Sequence, residues 1–295
     1  MDLTVPEYAY MFGFLQADGH LAKGTGQKGA LTVELGLRDA AILRAFAALT
    51  PYRSSITERT RSTNFAATHT SATWRLYALE ARTKLNALGL PYGRKSGMIA
   101  PPRVEFSRHD YVRGLIDGDG SVGLTGTGRP FLGLTTASTA TAAYVCDFGA
   151  ETTGVERTVR RNARDGMYNL LWTNEAAQRL AAALYYPDCL ALDRKRTAAR
   201  SVTAWVRPVG MRAAYAPRRW SPDEDRVLLN INSPTAAAEA LGRTPQSCNL
   251  RLWRLRTGQV PARPDGQPFT QTNCFSLATT STRSVCWAIT WSMSL

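Results

Sequence analysis

Two aspartates, Asp18 and Asp119, stand 101 residues apart, each closing an apolar run and each followed by glycine. The runs read Met11-Phe12-Gly13-Phe14-Leu15-Gln16-Ala17-Asp18-Gly19 and Val112-Arg113-Gly114-Leu115-Ile116-Asp117-Gly118-Asp119-Gly120. If each run is a helix, a carboxylate in its last turn is electrostatically misplaced, because orphan carbonyls and the helix dipole already make that end negative. Two such ends side by side stack the repulsion. A divalent cation relieves it, since carboxylate and carbonyl oxygens are what Mg²⁺ prefers. Metal between two acids and a phosphodiester activates water and steadies the leaving oxygen. The chemistry on offer is phosphodiester hydrolysis.

The elements that must position the acids can be read from the same runs. Gly13 with Ala17, and Gly114 with Gly118, put small residues at i and i+4, a stripe that lets two helix backbones approach closely. Gly19 and Gly120 are expected to end the helices in the left-handed conformation that glycine adopts cheaply. Downstream, both halves repeat a pattern. A Gly-rich loop (Lys23–Gly26; Leu124–Gly128) precedes a strand-like Leu-Gly-Leu run at 35–37 and 132–134, then a helical run at 39–49 and 140–149. Strand-like runs follow at 56–61 and 73–79, matched by 156–161 and 167–173, and helical runs at 81–88 and 175–184 close each half. This predicts an α+β fold of duplicated α-β-β-α-β-β-α units, 1–109 and 110–205, with helices on one sheet face and a polar open face. Ser55, Thr57, Arg59 and Arg61 share one alternation phase; Arg157, Val159 and Arg161 share another. With Arg75, these arginines are candidate nucleic-acid contacts on two sheets forming a basic saddle.

The segments at 11–19 and 112–120 resemble the paired motifs of the LAGLIDADG homing endonucleases, and the resemblance covers about residues 6–205. It implies a single-chain, pseudo-twofold saddle on double-stranded DNA. It implies a monomer with an internal pseudo-dimer that cuts opposite strands across the minor groove with Mg²⁺. Asp18 and Asp119 map to the catalytic metal ligands, and Ala17 and Gly118 would offer backbone carbonyls. Gln16 stands where the second motif has Asp117, a position the family does not use for metal. Lys95 and Lys195, at matching places 100 residues apart, map to basic residues near each active centre. Gln27 and Lys28, after the first Gly-rich loop, are candidates for water positioning or DNA contact.

Composition agrees with a polyanionic partner. Of 295 residues, 36 are basic and 23 acidic, a net charge of +13. Only five of the bases are lysine, so codon bias in a GC-rich genome is an alternative source of the arginine. By region the net charge is +6 for 1–109, +1 for 110–205 and +5 for 206–256. Phosphate contacts by such residues drive nucleic-acid association. No apolar run reaches a membrane span and no signal peptide is visible, which predicts a cytoplasmic, nucleoid-associated or mobile-element-encoded protein without a membrane partner. Five cysteines without a CxxC pair encode neither a zinc site nor a disulfide framework. His20, His69 and His109 form no partner pattern.

After a linker at 206–217, residues 218–256 carry three helix starts, Ser221-Pro222, Ser233-Pro234 and Thr244-Pro245. They predict a small three-helix domain of helix-turn-helix type, with Cys248, Leu252 and Leu255 inward and Gln246, Asn249, Trp253 and Arg254 outward. Trp220–Asp225 is similar to the opening of Myb/SANT-like domains. The Ser/Thr-rich stretch 257–295 shows no periodicity and reads as a disordered tail or a misread frame, with a folded element as the alternative. Met1 and the closing Met293-Ser294-Leu295 predict a free-standing chain. The leading function is therefore a site-specific DNA endonuclease. A non-cleaving DNA-binding regulator that reuses the fold, or an RNA-splicing maturase, is the alternative; regulators of that kind typically have eroded acids.

Overall fold

The computed structural model describes residues 1–63, 66–211 and 220–257. The chain divides into two compact units, Met1–Met211 and Arg212–Leu295.

The first unit is organised by a contact between two helices, α1 (Pro6–Asp18) and α4 (Arg108–Asp119), that are buried along nearly their whole length. Their backbones touch. A Cβ at Gly13 would lie 2.2 Å from the Tyr111 carbonyl oxygen, one at Gly114 2.2 Å from that of Tyr10, and one at Gly118 2.3 Å from the Ala17 Cβ. No side chain larger than hydrogen fits at these three positions, so the small-residue stripe does what its spacing predicts. The glycines that follow the aspartates act differently from expectation. Gly19 and Gly120 leave their helices in extended conformations, at φ −73° and −105°, and neither is left-handed. Space sets their identity, since a Cβ would sit 2.7 Å from the Leu15 oxygen and 2.6 Å from the Gly133 oxygen respectively.

After α1 come β1 (His20–Leu21), β2 (Leu31–Gly36), α2 (Ala40–Leu49), β3 (Ser54–Thr63), β4 (Ala66–Leu76) and α3 (Leu79–Ala87). The four strands form an antiparallel sheet in the order β1-β2-β4-β3. Register places Val33, Trp74 and Ile56 side by side on the inner face, where Phe46 of α2 packs 6.0 Å from the Trp74 ring. The open face carries Glu34, Thr73 and Thr57 abreast, then Arg59 beside Ser71 and Arg61 beside His69.

After α4 come β5 (Gly120–Leu124), β6 (Pro130–Thr136), α5 (Thr139–Thr153), β7 (Tyr168–Thr173), α6 (Asn174–Leu184) and α7 (Asp193–Thr203). Here the sheet is β5-β6-β7, again antiparallel. Its inner face is Val122, Leu132, Leu134, Leu170 and Trp172. The strand expected at 156–161 does not form, so this half lacks the second β-β pair and runs α-β-β-α-β-α through residue 184. A sheet strand needs an alternating face to bury, and within this run only Val159 packs on the core while Arg157, Arg160 and Arg161 are exposed. Arg161 donates to the Ala137 carbonyl at 2.9 Å and lies over the Tyr168 ring, and the chain turns between Asn162 and Met167.

In the second unit, α8 (Pro222–Ile231), α9 (Pro234–Leu241) and α10 (Pro245–Arg256) enclose Leu228, Ala237, Ala238, Cys248 and Leu252. Ser221 and Glu224 form a capping box and Thr244 caps α10, whereas the Ser233 side chain makes no cap bond. Arg243 and Arg251 pair with Glu224 and Asp225, and the Arg243 guanidinium stacks 4.0 Å from the Trp220 ring centre. Residues 212–217 of the expected linker and 258–295 of the expected tail lie outside the described residues. Among the described residues no helix is long and apolar enough to cross a membrane.

The helix contact can be checked by unfolding. Gly13→Ala or Gly114→Ala should cost about 1–3 kcal/mol or more, as overpacking does. Gly36→Ala, with open space around its Cβ, should stay within about 0.5 kcal/mol of the parent. A native unfolding midpoint for Gly13→Ala would disprove backbone contact.

Candidate active site

Because α1 and α4 touch as far as the Ala17–Gly118 contact, their C-terminal ends emerge together and set Asp18 beside Asp119. Both residues are exposed to solvent. Both carboxyls are nonetheless held above the usual range. For Asp119 the first cause is displaced water and the second is the negative charge of Asp18, with Lys95 and Lys195 opposing. For Asp18 the first cause is again desolvation, opposed by Lys95, Lys195 and Arg194. Two carboxylates that repel one another in a desolvated notch form a cation-seeking arrangement.

The two lysines occupy corresponding places. Lys95 Nζ donates to the carbonyl oxygens of Gln16, at 2.6 Å, and of Ala17. Lys195 Nζ donates to those of Ile116, Asp117 and Gly120 at 2.6, 2.7 and 2.8 Å. Each ammonium thus satisfies the orphan carbonyls at one helix end and offsets the negative end of its dipole. Burial lowers the pKa of both, that of Lys195 to about 8. Of the two carbonyls expected to face a metal, that of Ala17 is already engaged by Lys95.

Gln16 and Asp117, one residue upstream of the small residues, hold the helix ends from inside. The Tyr111 hydroxyl donates to Gln16 Oε1 at 2.6 Å, and the Tyr10 hydroxyl donates to Asp117 Oδ2 at 2.7 Å. Each helix sends a tyrosine to the other. Gln16 also donates to the Gly89 and Ala100 carbonyls, and Asp117 accepts from the Tyr185 hydroxyl and the Leu192 amide. The exchange of acid for amide at position 16 therefore preserves the cross-tie. Sequence reasoning missed these tyrosines, although Tyr10 and Tyr111 share the 101-residue spacing of the aspartates. It also missed Asp39, whose carboxylate accepts from Arg194 Nε at 3.1 and 3.0 Å and whose charge reaches Asp18. No local signal marks a pair 155 residues apart.

The expected nucleic-acid contacts are distributed unevenly. Arg59 and Arg61 are exposed on the open face of β3, Arg61 facing Glu34 at 3.3 Å. Arg75 lies half-buried on the same face and donates to Thr57 Oγ1 at 2.9 Å. Gln27 and Lys28 are exposed on a short 3₁₀ turn, Gly26–Lys28. That turn is gripped from beneath by Arg82, 0% exposed, whose guanidinium donates to the carbonyls of Tyr77, Ala22, Gly24 and Gly26. Arg157 and Arg161 are on no strand, contrary to expectation. Asn249 and Arg254 are exposed on α10 of the other unit.

A pocket of about 250 Å³ beside Asp119 is lined by Gln16, Ala17, Lys95, Asp119, Thr136 and Met167, among others. Among the described residues no group of three or more His, Cys, Asp or Glu side chains could hold a metal. The side chains that could offer oxygen to a cation here are those of Asp18 and Asp119. The pair fits Mg²⁺, which keeps several waters and takes one or two carboxylates together with substrate phosphate.

No protein-family model and no curated protein matches the chain. Among solved structures it is similar to mesophilic variants of the homing endonuclease I-DmoI, at 13% identity and TM-score 0.45, over 68% of this chain and 99% of that one. It is similar to the homing endonuclease I-WcaI bound to its DNA recognition sequence, at 14% identity and TM-score 0.44, over 66% and 88%. It is similar as well to the N-terminal LAGLIDADG domain of DUF199/WhiA, at 12% identity and TM-score 0.42, over 64% and 87%.

Two measurements probe the geometry. Folded Lys195 releases its proton near pH 8 and the unfolded chain near 10.5. The native state therefore binds fewer protons between those values, and stability rises with pH across that window. Lys195→Met should remove this component, so the stability of wild type relative to the variant should climb from pH 8 to 10.5. Separately, Arg82→Ala should speed amide exchange across residues 22–28 by about tenfold or more, hydrogen bonds to a charged group being worth roughly 1.5–3 kcal/mol. Unchanged exchange there would show that Arg82 does not hold the turn.

Proposed function

We propose that the protein is a site-specific double-strand DNA endonuclease that hydrolyses phosphodiesters with a divalent metal, Mg²⁺, at Asp18 and Asp119. One observation carries the reading: two carboxylates on separate helices meet in a partly desolvated notch within the field of two lysines, half-buried Lys95 and buried Lys195, each capping one of the two helix ends. The resemblance of segments 11–19 and 112–120 to LAGLIDADG motifs supports it. So does the arginine-bearing open face of the first sheet.

In this reading the first unit is a duplicated core acting as an internal pseudo-dimer within a monomer, and each aspartate serves one strand of the duplex. Asp18 and Asp119 would hold the metal. A metal bound there supplies an activated water and neutralises charge on the leaving oxygen. Lys95 and Lys195 offset part of the carboxylate charge so that a phosphate can approach, and their grip on the helix ends fixes where the carboxylates point. The tyrosine cross-ties hold the two ends in one relative position, so the acids are organised before DNA arrives. The Gly26–Lys28 turn, with Gln27 and Lys28, and the face bearing Arg59, Arg61 and Arg75 would follow the major groove. The three-helix unit would act as a helix-turn-helix extension contacting DNA through Asn249 and Arg254 of α10.

The test is cleavage of a duplex library by the full-length protein with Mg²⁺. Asp18→Asn and Asp119→Asn should each bind as wild type but cut at least one strand about 100-fold more slowly, the scale of losing a group that stabilises transition-state charge. Chelation of the metal should stop cutting. Wild-type cutting of both strands by either variant would overturn the catalytic assignment. Tight duplex binding with no cutting under any divalent metal would identify a regulator instead.

A further inference from the structure

The two sheets present different chemistry on their open faces. The strands of the first carry Glu34, Arg59, Arg61 and Arg75 on that face, whereas β5, β6 and β7 contain no charged residue. Strand alternation and burial place Ser121, Gly133 and Leu171 in one open row, Gly123, Phe131 and Thr173 in a second, and Thr135 with Asn169 in a third. The face is shallow. A Cβ on Gly133 would meet Leu171 at 3.4 Å and Ser121 at 3.8 Å, and one on Gly123 would meet the Phe131 ring at 3.4 Å. Leu171 is 51% exposed in the middle of it. Thr135 Oγ1 donates to Asn169 Oδ1 at 3.0 Å, which fixes the amide on the exposed face.

Exposed leucine on an uncharged face needs an occupant, and the surroundings say which. Arginines stand at both ends of β6: Arg129 is exposed in the turn before it, and Arg161 is exposed just beyond its other end. Arg161 is fixed at the border by the Ala137 carbonyl and the Tyr168 ring. A neutral centre inside a cationic frame complements a duplex groove, where phosphates lie at the rim and base edges between them. Against base edges, this centre has a distinct preference. Apolar side chains contact the thymine methyl, and asparagine pairs with adenine N6 and N7, whereas guanine is read by arginine or lysine.

Resting on the DNA reading above, we infer that the second sheet reads an A·T-rich half-site through Asn169, Leu171 and Phe131. The arginines of the first sheet read the other half and carry most of the salt dependence. The recognised duplex is compositionally lopsided. The frame arginines contact backbone on the second half without selecting sequence there.

Selection from randomised duplexes by full-length protein, in chelator to prevent cutting, tests this. Wild type should enrich duplexes with one A·T-rich half. Asn169→Ala and Leu171→Ser should each relax preference in that half alone, by about tenfold at the affected base pair, with the slope of log affinity against log salt unchanged. Arg59→Gln should act on the opposite half and flatten the slope by about one. Enrichment of G·C in the half that responds to these two variants, or an unchanged preference in both of them, would overturn the inference while leaving DNA binding intact. Concentration-dependent self-association abolished by Leu171→Ser would overturn it too, by making a second copy the occupant. Failure to enrich any duplex would instead remove the DNA reading on which it rests.

Discussion

Everything about the site depends on two helices touching without side chains between them. At Gly13, Gly114 and Gly118 the neighbouring helix occupies the volume a methyl group would need. Close-packed interiors have no slack to absorb such a group, so the contact acts as a fixed joint. Bringing two helix C-termini together is unfavourable in itself, because partial negative charges and two aspartates accumulate there. The protein offsets this with two ammonium groups drawn from outside the helices, Lys95 and Lys195, each held among main-chain carbonyls. The joint, the acids and the lysines form one arrangement, and none makes electrostatic sense without the others.

The polar interior serves the same end. Tyr10 and Tyr111 each cross the joint to a polar group on the opposite helix. Arg113 on α4, wholly buried, pairs with Asp110 and donates to the Leu184 and Leu190 carbonyls, tying that helix to the end of α6. Buried polar groups are costly unless bonded and specific in geometry once they are. Here Gln16 and Asp117 hold the helix ends next to the notch, while Arg113 and Asp110 anchor α4 further from it.

Much of this was legible in the sequence because it is repeated. The aspartates, the small residues at i and i+4, the paired lysines and the phase of Ser55, Thr57, Arg59 and Arg61 are local patterns, and spacing exposes them. What stayed hidden has tertiary causes. Gly19 and Gly120 look like left-handed caps, but the space around them, which only the packed structure reveals, is what excludes a side chain. The run 156–161 has strand-forming Thr and Val, yet only Val159 finds the core, so pairing with β7 never gains a buried face. Asp39 with Arg194 and Arg82 with its carbonyls join positions far apart in the chain, and neither pair carries a period or motif.

The gap between the two carboxylates is gauged by main-chain atoms, and main-chain atoms do not mutate. Each half can therefore drift in strand number, charge and loop length, as these two visibly differ, while the ruler at their junction keeps its length. Such a molecule separates the surfaces of its sheets from the spacing of its acids: sheets are free to acquire new surfaces, and the distance between the acids is not among the things they can alter.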